Sequence, residues 1–158
     1  MPLPSPFTEA NAVIDGQYRY LLTRSWGNGT PSLITWIMLN PSTADANHLD
    51  PTLRKCVRFS QRWGYSQLAV VNLYAHRATD WRRLRDVEDP VGRMNTTFIL
   101  NAIVGATMTI AAWGAHVTAL DQGAHALAMK HLILKYTRPQ CLGVTRTGQP
   151  RHPLYMPD

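Results

Sequence analysis

Cysteine is nearly absent from this chain of 158 residues: Cys56 and Cys141 stand alone, without C-x-x-C spacing. Neither a disulfide framework nor a cysteine-built metal site can be assembled from them, and a reducing compartment is the default. Long apolar runs are missing too, since none approaches the roughly 18 residues a membrane-spanning helix requires. The start, Met1 to Phe7, carries Pro2, Pro4 and Pro6 and lacks the basic-then-apolar pattern of a signal peptide. A cytoplasmic protein with no membrane partner is therefore expected. Charged residues are sparse, 16% beside 45% hydrophobic, a composition that excludes intrinsic disorder. No internal repeat or low-complexity segment occurs, and the length fits one domain spanning 1–158, expected to be monomeric, with residues 1–16 extended or irregular.

Lysine is confined to Lys55, Lys130 and Lys135, so arginine supplies most of the sixteen basic side chains and the net charge of +6. An acidic macromolecule is the favoured partner class on charge. Arginine's planar fork suits phosphate recognition better than a flexible ammonium does, although surface arginines are also common without function.

Apolar runs at Leu33 to Leu39, Gln67 to Asn72 and Thr107 to Trp113 read as strands covered on both faces, with a weaker fourth at Gln140 to Val144. Tyr18 to Thr23 reads as an edge strand, joined to the first buried run through a turn at Trp26-Gly27-Asn28-Gly29. Asp50-Pro51 and Asp89-Pro90 each place a capping carboxylate before a proline suited to a first helical turn. The first of these helices should run to about Trp63 and stop at Gly64, with Leu53, Cys56, Val57 and Ser60 on one face. Arg54, Arg58 and Arg62 recur on another face, which is either solvated or in contact with phosphate. A last helix is predicted over Ala119 to Lys135, with Leu120, Ala124, Leu127, His131 and Leu134 inward. His131 thus reads as a packed residue, and His48, His116 and His125 show no ligand spacing. The segment Tyr74 to Glu88, with His76, Arg77, Arg82, Arg83 and Arg85 around Trp81, reads as a long loop with at most a short helical turn. Alternating strands and helices predict an α/β fold: three layers, with helices on both faces of a central, mostly parallel four-stranded sheet, plus an N-terminal edge hairpin strand.

Ligands of parallel sheets bind beyond the carboxyl ends of the strands. That edge selects Asn40 to Asp45, Asn72 to Tyr74, Trp113-Gly114 and Thr145 to Tyr155. Individually these are ordinary turn and cap residues; together they predict a site.

The stretches Met38-Leu-Asn40-Pro-Ser-Thr-Ala-Asp45, Asp50-Pro-Thr52, Trp63-Gly-Tyr65, Val71-Asn-Leu73, Ala112-Trp-Gly114 and Gly148-x-Pro150-x-His152-Pro-Leu-Tyr155 resemble a bacterial and phage family catalogued as a domain of unknown function. The likeness covers nearly the whole chain from Tyr18. More distantly, their order is similar to that of the uracil-DNA glycosylase superfamily, where a G-x-N-P or G-Q-D-P loop, a strand-ending Asn, a W-G pair and an H-P-x-P-L loop follow one another. The resemblance implies a uracil-DNA-glycosylase-like fold and a monofunctional DNA glycosylase needing no metal and no cofactor. It implies that Asn40 positions the hydrolytic water and that His152 hydrogen-bonds the departing base. Asp45 is a rival activator on chemistry alone, since a carboxylate does that job better than an amide, or else the cap of a local turn. Asn72 would read the flipped base, with Tyr74 or Trp113 stacking on it. Leu154 and Tyr155 would stand where the superfamily has its duplex wedge. In place of the tyrosine that bars a methyl group from the uracil pocket, this chain has Ser42-Thr43-Ala44, which implies tolerance of a 5-substituted pyrimidine, hydroxymethylated or glucosylated as in some phage DNA, and a possible role in defence. Candidate DNA-backbone contacts are Arg54, Arg58, Arg77, Arg82, Arg83, Arg146 and Arg151. Two other classes stay open: a non-catalytic nucleic-acid-binding module, and an N-glycosidic hydrolase of free nucleosides or nucleotides.

Overall fold

A computed structural model describes residues 7–27 and 30–157. The elements run β1 (Phe7–Asp15), β2 (Tyr18–Trp26), β3 (Leu33–Met38), α1 (Pro51–Arg62), β4 (Gln67–Asn72), α2 (Asn95–Val104), β5 (Met108–Ala111) and α3 (Ala124–Leu134). Short 3-10 turns occupy Trp81–Asp86, Ala115–Ala119, Asp121–Gly123 and Pro153–Tyr155. One five-stranded sheet has the order β1-β2-β4-β3-β5, with β3 parallel to both β4 and β5, and β2 antiparallel to β4 and β1.

The α/β class and the buried apolar strands are as the alternation of apolar runs and helical patterns predicts, but the sheet is mixed rather than mostly parallel and four-stranded. The expected fourth parallel strand at Gln140 to Val144 does not form; it touches the sheet through a single bridge from Gln140 to Ile110. Pro139 cannot donate to a ladder, and Gly143 sits at φ +134°, which together end pairing after one residue. The hairpin also forms elsewhere. β2 turns back on β1 through Gly16-Gln17, with Asp15 opposite Tyr18 and Gly16 at φ +59°, instead of pairing with β3. Residues 7–15, expected to be extended or irregular, are therefore a paired strand. In the turn assigned to Trp26-Gly27-Asn28-Gly29, residues 28 and 29 lie outside the described residues, as do 1–6.

α1 forms as its sequence dictates. Asp50 Oδ1 accepts from Leu53 N at 2.9 Å, Pro51 occupies the first turn, and Gly64 follows the last turn at φ +86°. Its inward residues Leu53, Cys56 and Val57 pack on Ile34, Trp36, Met38, Leu68 and Val70 of the sheet. The opposite sheet face, with Ile37 and Val71, is covered by Ile99 and Ile103 of α2 and by Ala126, Met129 and Ile133 of α3. Two predicted helices are corrected. Asp89 caps no helix; its carboxylate accepts from Gly92 N at 3.0 Å in a turn, and α2 starts only at Asn95. The helix expected over Ala119 to Lys135 is broken where Asp121, Gln122 and Gly123 all have positive φ, so α3 restarts at Ala124 with its face rotated. Leu127 is consequently 54% exposed, and His131 lies on the outside rather than in the core.

Candidate functional site

Parallel pairing places Met38 opposite Asn72 and Ile37 opposite Ala111, so β3, β4 and β5 end along one edge. From β3 the chain crosses to β4 on one side, then passes back over to β5 on the other. The loops leaving β3 and β5 therefore diverge and open a crevice. A cleft of about 510 Å³ lies there. It gathers Asn40, Ser42, Asn72, Trp113, Arg151, His152, Leu154 and Tyr155 from four separate stretches of chain.

Asn40 follows β3 after Leu39. Its amide nitrogen donates to the carbonyls of Ala78 (2.8 Å) and Pro41 (3.1 Å), tying two loops together and turning Oδ1 into the free acceptor. Asn72 ends β4 and is only 1% exposed, yet neither Nδ2 nor Oδ1 has a partner. An unpaired buried polar group costs about 1–3 kcal/mol, so this amide is held open at a standing expense to stability. Its backbone is anchored by Asn95, whose amide donates to Asn72 O at 2.7 Å.

His152 reaches the cleft from the C-terminal loop. Gly114 N donates to Pro150 O at 2.9 Å, and Gly114 adopts φ +79°, where a Cβ would sit 3.3 Å from that of His152. This is the physical need behind the Trp113-Gly114 pair: only glycine lets the two loops approach so closely. His152 Nδ1 accepts from Leu154 N at 3.2 Å, which leaves the proton on Nε2. Burial pushes the imidazole down to about 4, against the opposing pull of Asp50, so at neutral pH it is an uncharged donor.

Three further groups in the cleft were not singled out from sequence as site residues. Asp50 lines it while capping α1. Arg19 of β2 is 2% exposed; Nη1 donates to Ala44 O at 3.0 Å and Nε has no partner. Burial lowers its pKa to about 10, partly countered by Asp50. Trp81 and His116 both line the cleft and stack on each other, with centroids 4.5 Å apart and planes 15° from parallel. The guanidinium carbons of Arg82 and Arg85 lie 5.2 and 5.1 Å from the Trp81 ring centroid. A charged residue inside an apolar strand and a lone tryptophan in a polar loop were the available signals.

Other expected residues stand apart. Tyr74 is buried against His125 (4.8 Å) in the core and does not line the cleft. Trp113 does, although its indole is largely buried and donates to Gln149 Oε1 at 2.9 Å. Asp45 closes a turn: Oδ1 accepts from Asn47 N (2.8 Å) and His48 N (3.0 Å), and these donors together with the His48 ring hold the carboxyl below its usual range. Thr43 is exposed beside the cleft. Arg77 buttresses the loop through the carbonyls of Ser42 and Thr43, and Arg82 pairs with Asp80 at 3.2 Å. Arg54, Arg58, Arg83 and Arg146 are exposed away from the lining, whereas Arg151 reaches the rim. Leu154 and the 72%-exposed Tyr155 stand at the mouth, with Lys55 of α1 donating to the carbonyls of Leu154 and Met156.

Among the described residues no group of three or more His, Cys, Asp or Glu is placed to hold a metal ion, and no helix is long and apolar enough to cross a membrane. No curated protein and no solved structure matches the chain. The model of a family described as a protein of unknown function (DUF1643) matches residues 19–154, so the chain belongs to that family.

Proposed function

We propose that this protein is a monofunctional DNA glycosylase, which takes an extrahelical pyrimidine into the cleft and hydrolyses its N-glycosidic bond. The observation that carries the reading is Asn72, a fully buried carboxamide with both donor and acceptor unmet at the floor of a cleft. A base edge supplies the matching donor and acceptor in one plane, and pairing there would relieve both unmet groups at once. The motif order described above, similar to that of the uracil-DNA glycosylase superfamily, agrees with it.

In this reading the base stacks against the Trp81–His116 wall while Asn72 reads its edge. The C1′–N bond breaks with its electron pair leaving on the base. Water, held by Asn40 Oδ1, adds its oxygen at C1′, and a water proton ends on the departed base. The nearby carboxylate of Asp50 favours the developing sugar cation, and His152 Nε2–H donates to the base as it gains charge. Asp45, committed to its own turn, has no part. The small Ser42 and Thr79 on one wall leave room for a substituent at the 5 position, supporting hydroxymethylated or glucosylated pyrimidines as the substrate class. Arg151 at the rim, with Arg54, Arg58, Arg82, Arg83 and Arg146 outside it, would hold the DNA backbone of a monomeric complex.

The test is to incubate the purified protein with single- and double-stranded DNA containing uracil, 5-hydroxymethylpyrimidines or glucosylated pyrimidines. Free base and alkali-labile sites are expected, and Asn40→Ala or His152→Ala should remove both while leaving DNA affinity within about twofold. Salt-sensitive binding without product on every DNA would favour a binding module instead. Turnover of free nucleosides at equal efficiency would favour the small-molecule hydrolase.

A further inference from the structure

Arg19 has no counterpart in the mechanism just described, and its setting is unusual. A guanidinium that is 2% exposed normally meets a carboxylate, because an uncompensated buried charge is costly. Among the described residues no salt bridge reaches it; its one hydrogen bond goes to Ala44 O, Nε is unpartnered, and the side chain lines the cleft with Asn72. The charges acting on it are Asp50 and Asp45, which favour the cation, and Arg77 and Arg24, which oppose it. Among the described residues the site therefore holds a buried cation that Asp50 and Asp45 favour from a distance but that no carboxylate hydrogen-bonds.

We infer that Arg19 is the anion-receiving group of the cleft and that its ligand is the negative charge appearing on the departing base. This deepens the glycosylase reading and rests on it for the identity of the ligand. The electron pair of the broken C1′–N bond stays on N1 and delocalises onto the exocyclic carbonyl oxygens of the base, and a buried guanidinium stabilises that charge more than it stabilises the neutral base, which lowers the barrier. The other candidate anion is a phosphate. Asp50 in the same cleft opposes any anion, but a phosphate dianion about twice as strongly as a singly charged base, and Arg151 at the exposed rim offers phosphate a solvated alternative. The device is separate from His152, which as a neutral donor supplies no net charge.

The proposal is tested by equilibrium binding to the intact protein, independently of catalysis. The probes are thymine, uracil, 5-fluorouracil and 5-nitrouracil at one mildly alkaline pH, where ring-proton acidity rises along the series and thymine, the least acidic, controls for the bulk of a 5-substituent. Wild-type affinity should rise with acidity, by about tenfold or more between uracil and 5-nitrouracil, as a charge-assisted hydrogen bond allows. Arg19→Gln should abolish that slope, while Arg19→Lys should keep part of it and His152→Gln most of it. A flat slope in the wild type overturns the inference without any variant, and so does competition by inorganic phosphate that depends on Arg19. If the slope is present but no DNA releases base, the anion site stands and the glycosylase reading falls.

Discussion

Asn72 is the residue on which structure and function conflict most openly. Were its amide needed for folding it would be paired; instead both polar atoms are buried without a partner. Asn72→Leu should therefore leave stability unchanged or raise it by about 1–2 kcal/mol in urea unfolding, while base release is lost. A large destabilisation would assign Asn72 to the scaffold. His152 gives a pH signature. The free imidazole titrates near 6.5 and the buried one near 4, so between these values the unfolded chain binds the extra proton. Stability contributed by neutral His152 is complete above about pH 6.5 and is lost as pH falls toward 4. His152→Gln should flatten that part of the stability profile, measured as the difference between wild type and variant in unfolding at pH 7 and pH 4.5.

At the scale of elements, α1 links fold and site through one carboxylate. Asp50 caps the helix and lines the cleft, so its two roles need different substitutions. Asp50→Ala should cost about 1 kcal/mol through the lost cap. Asp50→Ser should restore most of that stability without restoring turnover, and thermal melts alongside base-release rates separate the two. α1 was fully legible in the sequence because its signals are local: a cap, a proline, a glycine and an inward stripe. The break before α3 was not. A stripe of Leu120, Ala124, Leu127, His131 and Leu134 fits one helix as well as the observed Ala126, Met129 and Ile133 face fits a shorter one. Only docking against Ala111 and Trp113 chooses between them.

For the whole molecule, the charge of +6 acts at longer range than the cleft. Each exposed arginine that contacts a phosphate releases counterions, so log affinity for DNA should fall linearly with log salt. Arg54→Gln combined with Arg151→Gln should reduce that slope by about 2, in fluorescence anisotropy at several salt concentrations. Arg19→Gln should leave it unchanged, because a buried guanidinium facing a base meets no counterion atmosphere.

The sequence by itself determined what depends on neighbours along the chain: the apolar strands, the α1 helix, the α/β class and the residues at the carboxyl edge, Asn40, Asn72, Trp113 and His152. Parallel pairing then carries the strand-end residues Asn40, Asn72 and Trp113 to one place, whereas His152 arrives through the contact of its loop with Gly114. Tertiary structure alone decided the order of the sheet, the β1–β2 hairpin, and the separation of Tyr74 and Asp45 from the cleft. It alone also brought in Arg19, Asp50 and Trp81. Those outcomes turn on which groups from separate stretches of chain are buried together, and the free energy of such contacts depends on packing and desolvation, which leave no periodic trace in the sequence.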